Sequence, residues 1–242
     1  MSHGKAKLLL LQIRNPEDPM RQQEIECFAS ALGVDAGQIK PWDLLAGRPG
    51  WRFVNQHDAI LIGGSGDYSV TRFSGWLDAS MELMREIVHE GKPTFASCWG
   101  FQAMAKAHRG RVNTDLSRAE IGTHELCLTE QGLRDPLFGY LGSRFNAQMG
   151  HEDCVDELPD NAVLLASSEI VKNQAYRIKD KPIWCTQFHP ELKRSQLLTR
   201  VLQYPTYIEN IAGIPVNRFG DLIHDAPETE RLLGNFLDLV LG

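Results

Sequence analysis

The chain has 242 residues, a net charge of −6, and 43% hydrophobic and 23% charged side chains, the balance of an ordinary globular protein. No run approaches the ~20 apolar residues that a membrane span needs, and no basic run favours nucleic acid as a partner. The apolar stretch at 8–11 is too short for a signal peptide, so we expect a cytoplasmic protein. The five scattered cysteines predict neither a disulfide framework nor a metal site.

The first part of the sequence alternates short apolar runs with helical patterns. Apolar runs at 7–13, 58–62 and 93–97 predict buried strands, and amphipathic patterns at 20–32 and 75–89 predict helices. A further helix is expected to begin directly after the third strand. This alternation predicts a parallel sheet with helices on both faces.

After Arg111 the sequence pattern changes and predicts shorter strands joined by polar turns. These strands would extend the sheet with an antiparallel part. These strands are expected at 121–129, 162–167, 174–178 and 183–188. The chain is expected to become helical again from Pro190 and to close with an amphipathic helix at 229–241. No repeat or linker divides the sequence, so we expect one domain over residues 1–242.

Cys98 lies where a predicted strand passes into a predicted helix, in the sequence FASCWGFQ at 95–102. A sharp turn of this kind needs small neighbours and lifts a nucleophile over the edge of the sheet. The amino terminus of the following helix favours the thiolate. An arbitrary cysteine is more often a small buried apolar residue, but this setting favours a nucleophile.

A histidine and a glycine loop follow two other predicted strands. His189 could take up and return a proton, and Glu191, two residues on, would fix its tautomer. The loop GGSGD at 63–67 could present N–H groups to an oxyanion; it lacks the lysine of a phosphate-binding loop. Taken alone, the histidine could be structural and the loop a plain tight turn.

Together these motifs resemble the class I glutamine amidotransferase family, whose pattern is a glycine-rich loop, then G-x-C-x-G-x-Q, and finally F-H-P-E. The resemblance covers nearly the whole chain, and GHED at 150–153 looks most like the GMP synthase-type glutaminase domain and its free-standing relatives. It implies a flavodoxin-like α/β fold: a mostly parallel central sheet flanked by helices, with a small antiparallel extension. Two positions depart from the pattern: Ala96 replaces a glycine, and Ser65 stands where a proline is more usual.

The resemblance also implies a role for each matched residue. Cys98 would be the nucleophile, His189 the general base and acid, and Glu191 the carboxylate that orients His189. The backbone N–H groups of Gly64 and Trp99 would form the oxyanion hole. Four further residues would hold the substrate: Gln102, Gly66, Gly150 and His151. No metal or cofactor is implied.

The implied reaction is hydrolysis of the γ-carboxamide of glutamine through a γ-glutamyl thioester. The ammonia would pass to an unidentified acceptor or a separate synthetase subunit, because the glutaminase uses all 242 residues. Two alternatives stay open: a stand-alone γ-glutamyl hydrolase or peptidase, and a non-catalytic binding module, against which the intact Cys-His-Glu set argues. The segment at 204–227, rich in aromatic, proline and glycine residues, could be a partner surface, a pocket wall or a loop packed on the core.

Overall fold

A nine-stranded mixed sheet is the centre of the computed structural model, which describes residues 4–242. The first three residues of the amino terminus considered above lie outside that range. The strand order is β2-β1-β3-β4-β11-β10-β9-β6-β7, and β5 pairs with β8 in a second, two-stranded sheet. The strands of the described range are β1 Leu8–Gln12, β2 Ile39–Asp43, β3 Ala59–Ile62, β4 Thr94–Ser97, β5 Arg111–Thr114, β6 Glu120–Leu128, β7 Arg144–His151, β8 Asp153–Glu157, β9 Ala162–Ser167, β10 Ala175–Ile178 and β11 Ile183–Thr186.

Helices cover both faces of the parallel half of this sheet. The α-helices of the described range are α1 Met20–Leu32, α2 Trp51–Val54, α3 Gly75–Glu90, α4 Trp99–Ala107, α5 Glu130–Leu133, α6 Arg194–Leu202, α7 Pro205–Tyr207 and α8 Leu232–Leu241. Within residues 4–242 no helix combines the length and the apolar character needed to cross a bilayer.

Strands β2, β1, β3, β4 and β11 pair in parallel, whereas β11, β10, β9, β6 and β7 pair antiparallel. The predicted α/β fold, with its parallel sheet and antiparallel extension, is therefore confirmed. The extension is longer than the apolar runs indicated, because β7 belongs to it and was not predicted. Strands β2, β5 and β8 were also missed.

The core lies in two layers, because successive side chains of a strand point to opposite faces of the sheet. Leu8 and Leu10 of β1 pack on one face with α1 and α8, and Leu9 and Leu11 pack on the other with α3 and α4. All four leucines are fully buried. A strand covered on both faces reads as a continuous apolar run, which is why β1, β3 and β4 were evident in the sequence.

The carboxyl ends of β1, β3, β4 and β11 meet at one edge of the sheet, as parallel pairing requires. Open parallel sheets place their ligand sites at this edge. Here it gathers the glycine loop after β3, Cys98 after β4 and the segment 187–193 after β11. The expectation of helix directly from Pro190 is wrong, since α6 begins at Arg194 and the residues before it form a turn.

Candidate active site

Cys98 occupies a strained turn between β4 and α4, with φ 51° and ψ −103°. Positive φ is uncommon for a residue with a side chain and costs energy that the surroundings must supply. The Cys98 N–H donates to the Thr186 carbonyl at 2.8 Å, and the Gly100 N–H donates to the Gly63 carbonyl at 3.3 Å. A Cβ on Gly100 would lie 2.8 Å from the Cβ of Ile62, so only glycine lets α4 start this close to β3.

His189 and Glu191 form a buried pair beside this turn. His189 Nδ1 lies 2.8 Å from Glu191 Oε1, and the two residues are 4% and 2% exposed. Burial lowers the pKa of His189, but the neighbouring Glu191 carboxylate and Cys98 outweigh it and raise the pKa to about 9. Burial raises the pKa of Glu191, yet His189 and Arg200 outweigh it and hold that pKa at about 2.

Arg200, on α6, extends this charge network and was not predicted. Its Nη1 donates to Glu191 Oε1 at 3.1 Å and its Nε to Gln23 Oε1 at 2.9 Å, with the residue 6% exposed. An arginine on an amphipathic helix is usually solvated, so the sequence held no signal for this contact. Arg200 balances the negative charge that Glu191 brings into the interior.

Gly64 lies directly against the Cys98 and His189 side chains. A Cβ added to Gly64 would be 3.0 Å from His189 Cε1 and 3.5 Å from Cys98 Cβ. The N–H groups of Gly64 and Trp99 donate to no protein acceptor within residues 4–242, and Trp99 is the first residue of α4, where N–H groups lack intrahelical partners. Two unused donors therefore flank the sulfur.

Three of the predicted substrate-binding residues surround Cys98 in different ways. Gln102 Nε2 donates to the Asp153 carbonyl at 3.1 Å, so it holds the 151–153 segment. The Gly150 carbonyl lies 3.6 Å from Cys98 Sγ. His151 turns its side chain away, with Nε2 2.9 Å from Glu120 Oε2, so only its backbone faces the site.

Two pockets meet at Cys98. The polar pocket is lined by Asp67, Arg72, Gln102, Glu152 and Asp153 together with Cys98. The apolar pocket is lined by Gly64, His189, Leu197, Val201, Tyr204 and Tyr207 together with Cys98, Arg14 and Arg200. His189 lines only the apolar pocket, whereas Cys98 lines both pockets.

A family model described as glutamine amidotransferase class-I matches residues 39–204. The chain belongs to the class I glutamine amidotransferase family. This confirms the resemblance read from the glycine loop, Cys98 and the F-H-P-E motif.

Curated relatives of two kinds are similar to this family member. Gamma-glutamyl peptidase 3 from Arabidopsis thaliana is 26% identical over 219 residues, covering 87% of this chain and 86% of that protein. GMP synthase from Thermosipho melanesiensis is 32% identical over 151 residues, 62% of this chain but 28% of that protein. A GMP synthase subunit from Methanothermobacter thermautotrophicus is 35% identical over 111 residues, 46% of this chain and 58% of that protein. The chain thus spans about a quarter of the Thermosipho protein and over half of the Methanothermobacter protein.

A solved glutamine amidotransferase from Thermotoga maritima superposes with a TM-score of 0.75 and covers 99% of both chains at 19% identity. A solved glutamine amidotransferase from Methylobacillus flagellatus gives 0.69 at 17% identity, covering 97% of this chain and 95% of that chain. At such identities the likeness shows the fold alone, and it agrees with the α/β architecture described above.

A second cluster of a cysteine, a histidine and a glutamate lies beside the candidate site at Cys98. Cys154 Sγ is 4.0 Å from His151 Nδ1, and His151 pairs with Glu120. Cys154 is fully buried, and burial raises the pKa of its thiol to about 12. This thiol therefore stays protonated and out of reach, which separates the cluster from Cys98 despite the shared residue types.

Tyr204 closes the apolar pocket and is held from two sides. Arg14 Nη1 donates to the Tyr204 hydroxyl at 3.0 Å, and that hydroxyl donates to Asp18 Oδ2 at 2.6 Å. A Cβ on Gly66 would collide with the Tyr204 ring. The beginning of the 204–227 segment is therefore a pocket wall, whereas Phe219, fully buried, packs the later part on the core.

Proposed function

We propose that this chain hydrolyses γ-glutamyl amides, glutamine among them, with Cys98 as nucleophile. One observation carries the proposal: Cys98, on a strained turn at a helix amino terminus, and the buried His189 both lie against Gly64, and His189 Nδ1 binds the Glu191 carboxylate. A nucleophile beside a histidine that a carboxylate orients is the arrangement that covalent catalysis requires.

The first half-reaction would transfer the γ-glutamyl group to sulfur. His189 takes the Cys98 thiol proton, and the raised pKa of His189 favours the resulting imidazolium. The thiolate attacks the γ-carbonyl carbon, and the N–H groups of Gly64 and Trp99 hold the oxyanion. His189 returns the proton to the departing nitrogen, the C–N bond breaks, and a γ-glutamyl thioester remains.

The second half-reaction would release glutamate. His189 removes a proton from water, the hydroxide attacks the thioester, and the C–S bond breaks as the thiol is regenerated. Glu191 stays ionised throughout, because its pKa is held at about 2, so it orients and stabilises His189 without exchanging the proton.

The polar pocket suits the α-amino-acid head of the γ-glutamyl group. Asp67 and Glu152 offer carboxylates to the α-ammonium, and Arg72 offers a guanidinium to the α-carboxylate. The pKa of Glu152 is raised by partial burial and by Asp153, and Arg72 counteracts this.

The fate of the nitrogen divides two versions of this function. The Methanothermobacter relative, by its name, is one component of a GMP synthase, and by that likeness this chain would release ammonia to a separate synthetase. Gamma-glutamyl peptidase 3 aligns over 87% of this chain and 86% of its own length, which favours a hydrolase that acts alone.

The test is release of glutamate from glutamine and from γ-glutamyl dipeptides by the purified chain. Cys98→Ser should lose at least 10³-fold in kcat/KM, since triad members act as a unit, whereas Cys127→Ser, which changes an exposed cysteine of β6, should match wild type. Full activity in Cys98→Ser would refute the assignment.

Labelling by an electrophilic glutamine analogue decides between the remaining outcomes. Fast labelling of Cys98 without turnover indicates a glutaminase that needs a synthetase partner. Labelling of Cys98 no faster than that of the exposed Cys127 would favour the non-catalytic binding module.

A further inference from the structure

The position of His189 defines which pocket receives the leaving amine. A general acid must come within about 3 Å of the nitrogen that it protonates, and His189 lines the apolar pocket but not the polar pocket. If the polar pocket holds the glutamyl head, as proposed above, the nitrogen and its substituent point into the apolar pocket. The inference that follows rests on that function.

The apolar pocket offers contacts to hydrocarbon. Leu197 and Val201 of α6 and the side chains of Tyr204 and Tyr207 line it. A substituent placed there would be removed from water, and apolar atoms gain from that transfer whereas polar atoms lose.

The two arginines that line this pocket are already paired with carboxylates of the protein. Arg14 is paired with Glu24 at 3.1 Å and with Asp18 at 3.3 Å, and Arg200 is paired with Glu191 at 3.1 Å. Arg14 Nε and Arg200 Nη2 have no partner among the described residues, but both atoms are buried away from solvent. Both guanidinium groups are thus already ion-paired with carboxylates of the protein, which weakens their attraction for an anionic substituent.

The pocket is small. Its volume is about 40 Å³, more than the ~10–15 Å³ that one water-sized group needs. The nitrogen of glutamine alone would leave part of this space empty. The two carbons of an ethylamide would lie in that space.

We propose that the apolar pocket is a subsite for the leaving amine and that this protein binds γ-glutamyl amides of short, neutral alkylamines more tightly than glutamine. The reaction is balanced without any further reactant. The thiolate attacks the γ-carbon, the C–N bond breaks, the alkylamine leaves with the proton from His189, and water then releases glutamate.

The experiment compares γ-glutamylethylamide with glutamine, in binding and in turnover. Binding is measured by calorimetry in a Cys98→Ala background, where no reaction interferes, and kcat/KM is measured in the active protein. We expect the ethylamide to bind about tenfold more tightly, since two buried methylene-sized groups contribute ~0.8 kcal/mol each. Amide hydrolysis rates differ intrinsically, so in turnover the quantity of interest is the ratio of the two kcat/KM values in each variant relative to wild type.

Val201 is the residue to vary, because it lines the pocket from α6. Val201→Leu should fill the space and bring the ethylamide-to-glutamine ratio close to one, and Val201→Ala should move the preference toward γ-glutamylbutylamide. Leu202→Ala alters the neighbouring residue, which is 47% exposed on the same helix and does not line the pocket, and should leave the ratio unchanged. Thermal melting of all three shows whether the fold is kept.

A ratio that is the same in wild type and both Val201 variants would overturn the proposal. Tighter binding of γ-glutamylglycine than of the ethylamide would also overturn it, since the arginines would then bind a carboxylate. Turnover of glutamine with no response at Val201 retains the proposed function and removes the subsite. A Val201-dependent ratio in binding, with no turnover of any amide, retains the subsite and removes the stand-alone function.

Discussion

Glu191→Gln tests the charge network on which the site depends. The substitution keeps the shape of the side chain but removes the negative charge that lies 2.8 Å from His189 and 3.1 Å from Arg200. Removing one partner of a buried ion pair costs about 3–5 kcal/mol, because the remaining charge stays buried without compensation. We expect a loss of this size in the free energy of unfolding at pH 7.

The pH dependence of stability gives an independent signature. The pKa of His189, 6.5 when unperturbed, is raised to about 9, so its protonated form stabilises the fold fully below pH 6.5 and this contribution is lost as pH rises through 9. The difference corresponds to roughly 3 kcal/mol at ~1.4 kcal/mol per pKa unit. Glu191 acts at the other end: its pKa is lowered from 4.5 to about 2, so its contribution is present above pH 4.5 and lost as pH falls through 2.

The assay is urea unfolding of wild type and Glu191→Gln at pH 6 and pH 10, with kcat/KM for glutamine alongside. The variant should show a flatter pH dependence than wild type and lose about 10³–10⁴-fold in activity, as amide-for-carboxylate substitution does in other triads. Arg200→Met is the matched control, since it removes the other charge next to Glu191 without touching His189. It should destabilise the fold but retain more activity. Equal pH slopes in wild type and Glu191→Gln would refute the electrostatic reasoning.

Three further substitutions separate catalysis, positioning and stability. Gly64→Ala places a methyl group 3.0 Å from His189 Cε1 and should lower kcat/KM at least 100-fold, with some loss of melting temperature from overpacking; a normal kcat/KM would show that catalysis does not depend on the position of His189. Glu120→Gln removes the carboxylate partner of His151 and should raise KM more than it lowers kcat, because the 150–153 segment loses its support; steady-state kinetics measure this, and a pure kcat effect would contradict it. Phe236→Ala opens a cavity next to the buried α8 core and should cost about 3–5 kcal/mol in urea unfolding with kcat unchanged.

The strands that the sequence failed to predict are those whose burial is one-sided or partial. β2, with Pro41 at its centre, lies at the edge of the sheet and is only partly buried, so it has no continuous apolar run. In β7, Phe145, Ala147 and Met149 are buried and alternate with more exposed neighbours at several positions, and this two-residue period was the available signal. Continuous runs were easier to detect than alternation.

Some residues of the candidate site could also be predicted from the sequence, and others could not. The turn at Cys98 and the closeness of His189 to it could be predicted, because strand ends in a parallel sheet converge. Arg200 and Tyr204 could not, since each acts through partners distant in sequence, Gln23 for one and Arg14 for the other. Local pattern does not encode contacts that only the packing of α6 and its following segment brings about.

The way Tyr204 is held has a consequence for how members of this family diverge. Its hydroxyl bonds to Arg14 and Asp18, which precede the span that the family model matches, and Tyr204 itself is the last residue of that span. Part of the pocket wall next to His189 is thus built by residues at or outside the ends of the span that the family model matches. Tyr207 lies after the end of that span. If this wall binds the leaving amine, as proposed above, substitutions there would change which amine is released while every motif of the family stays intact. Two chains that match the family model equally well would then differ in substrate. A structural superposition of the residues at the two ends of the matched span would show that difference.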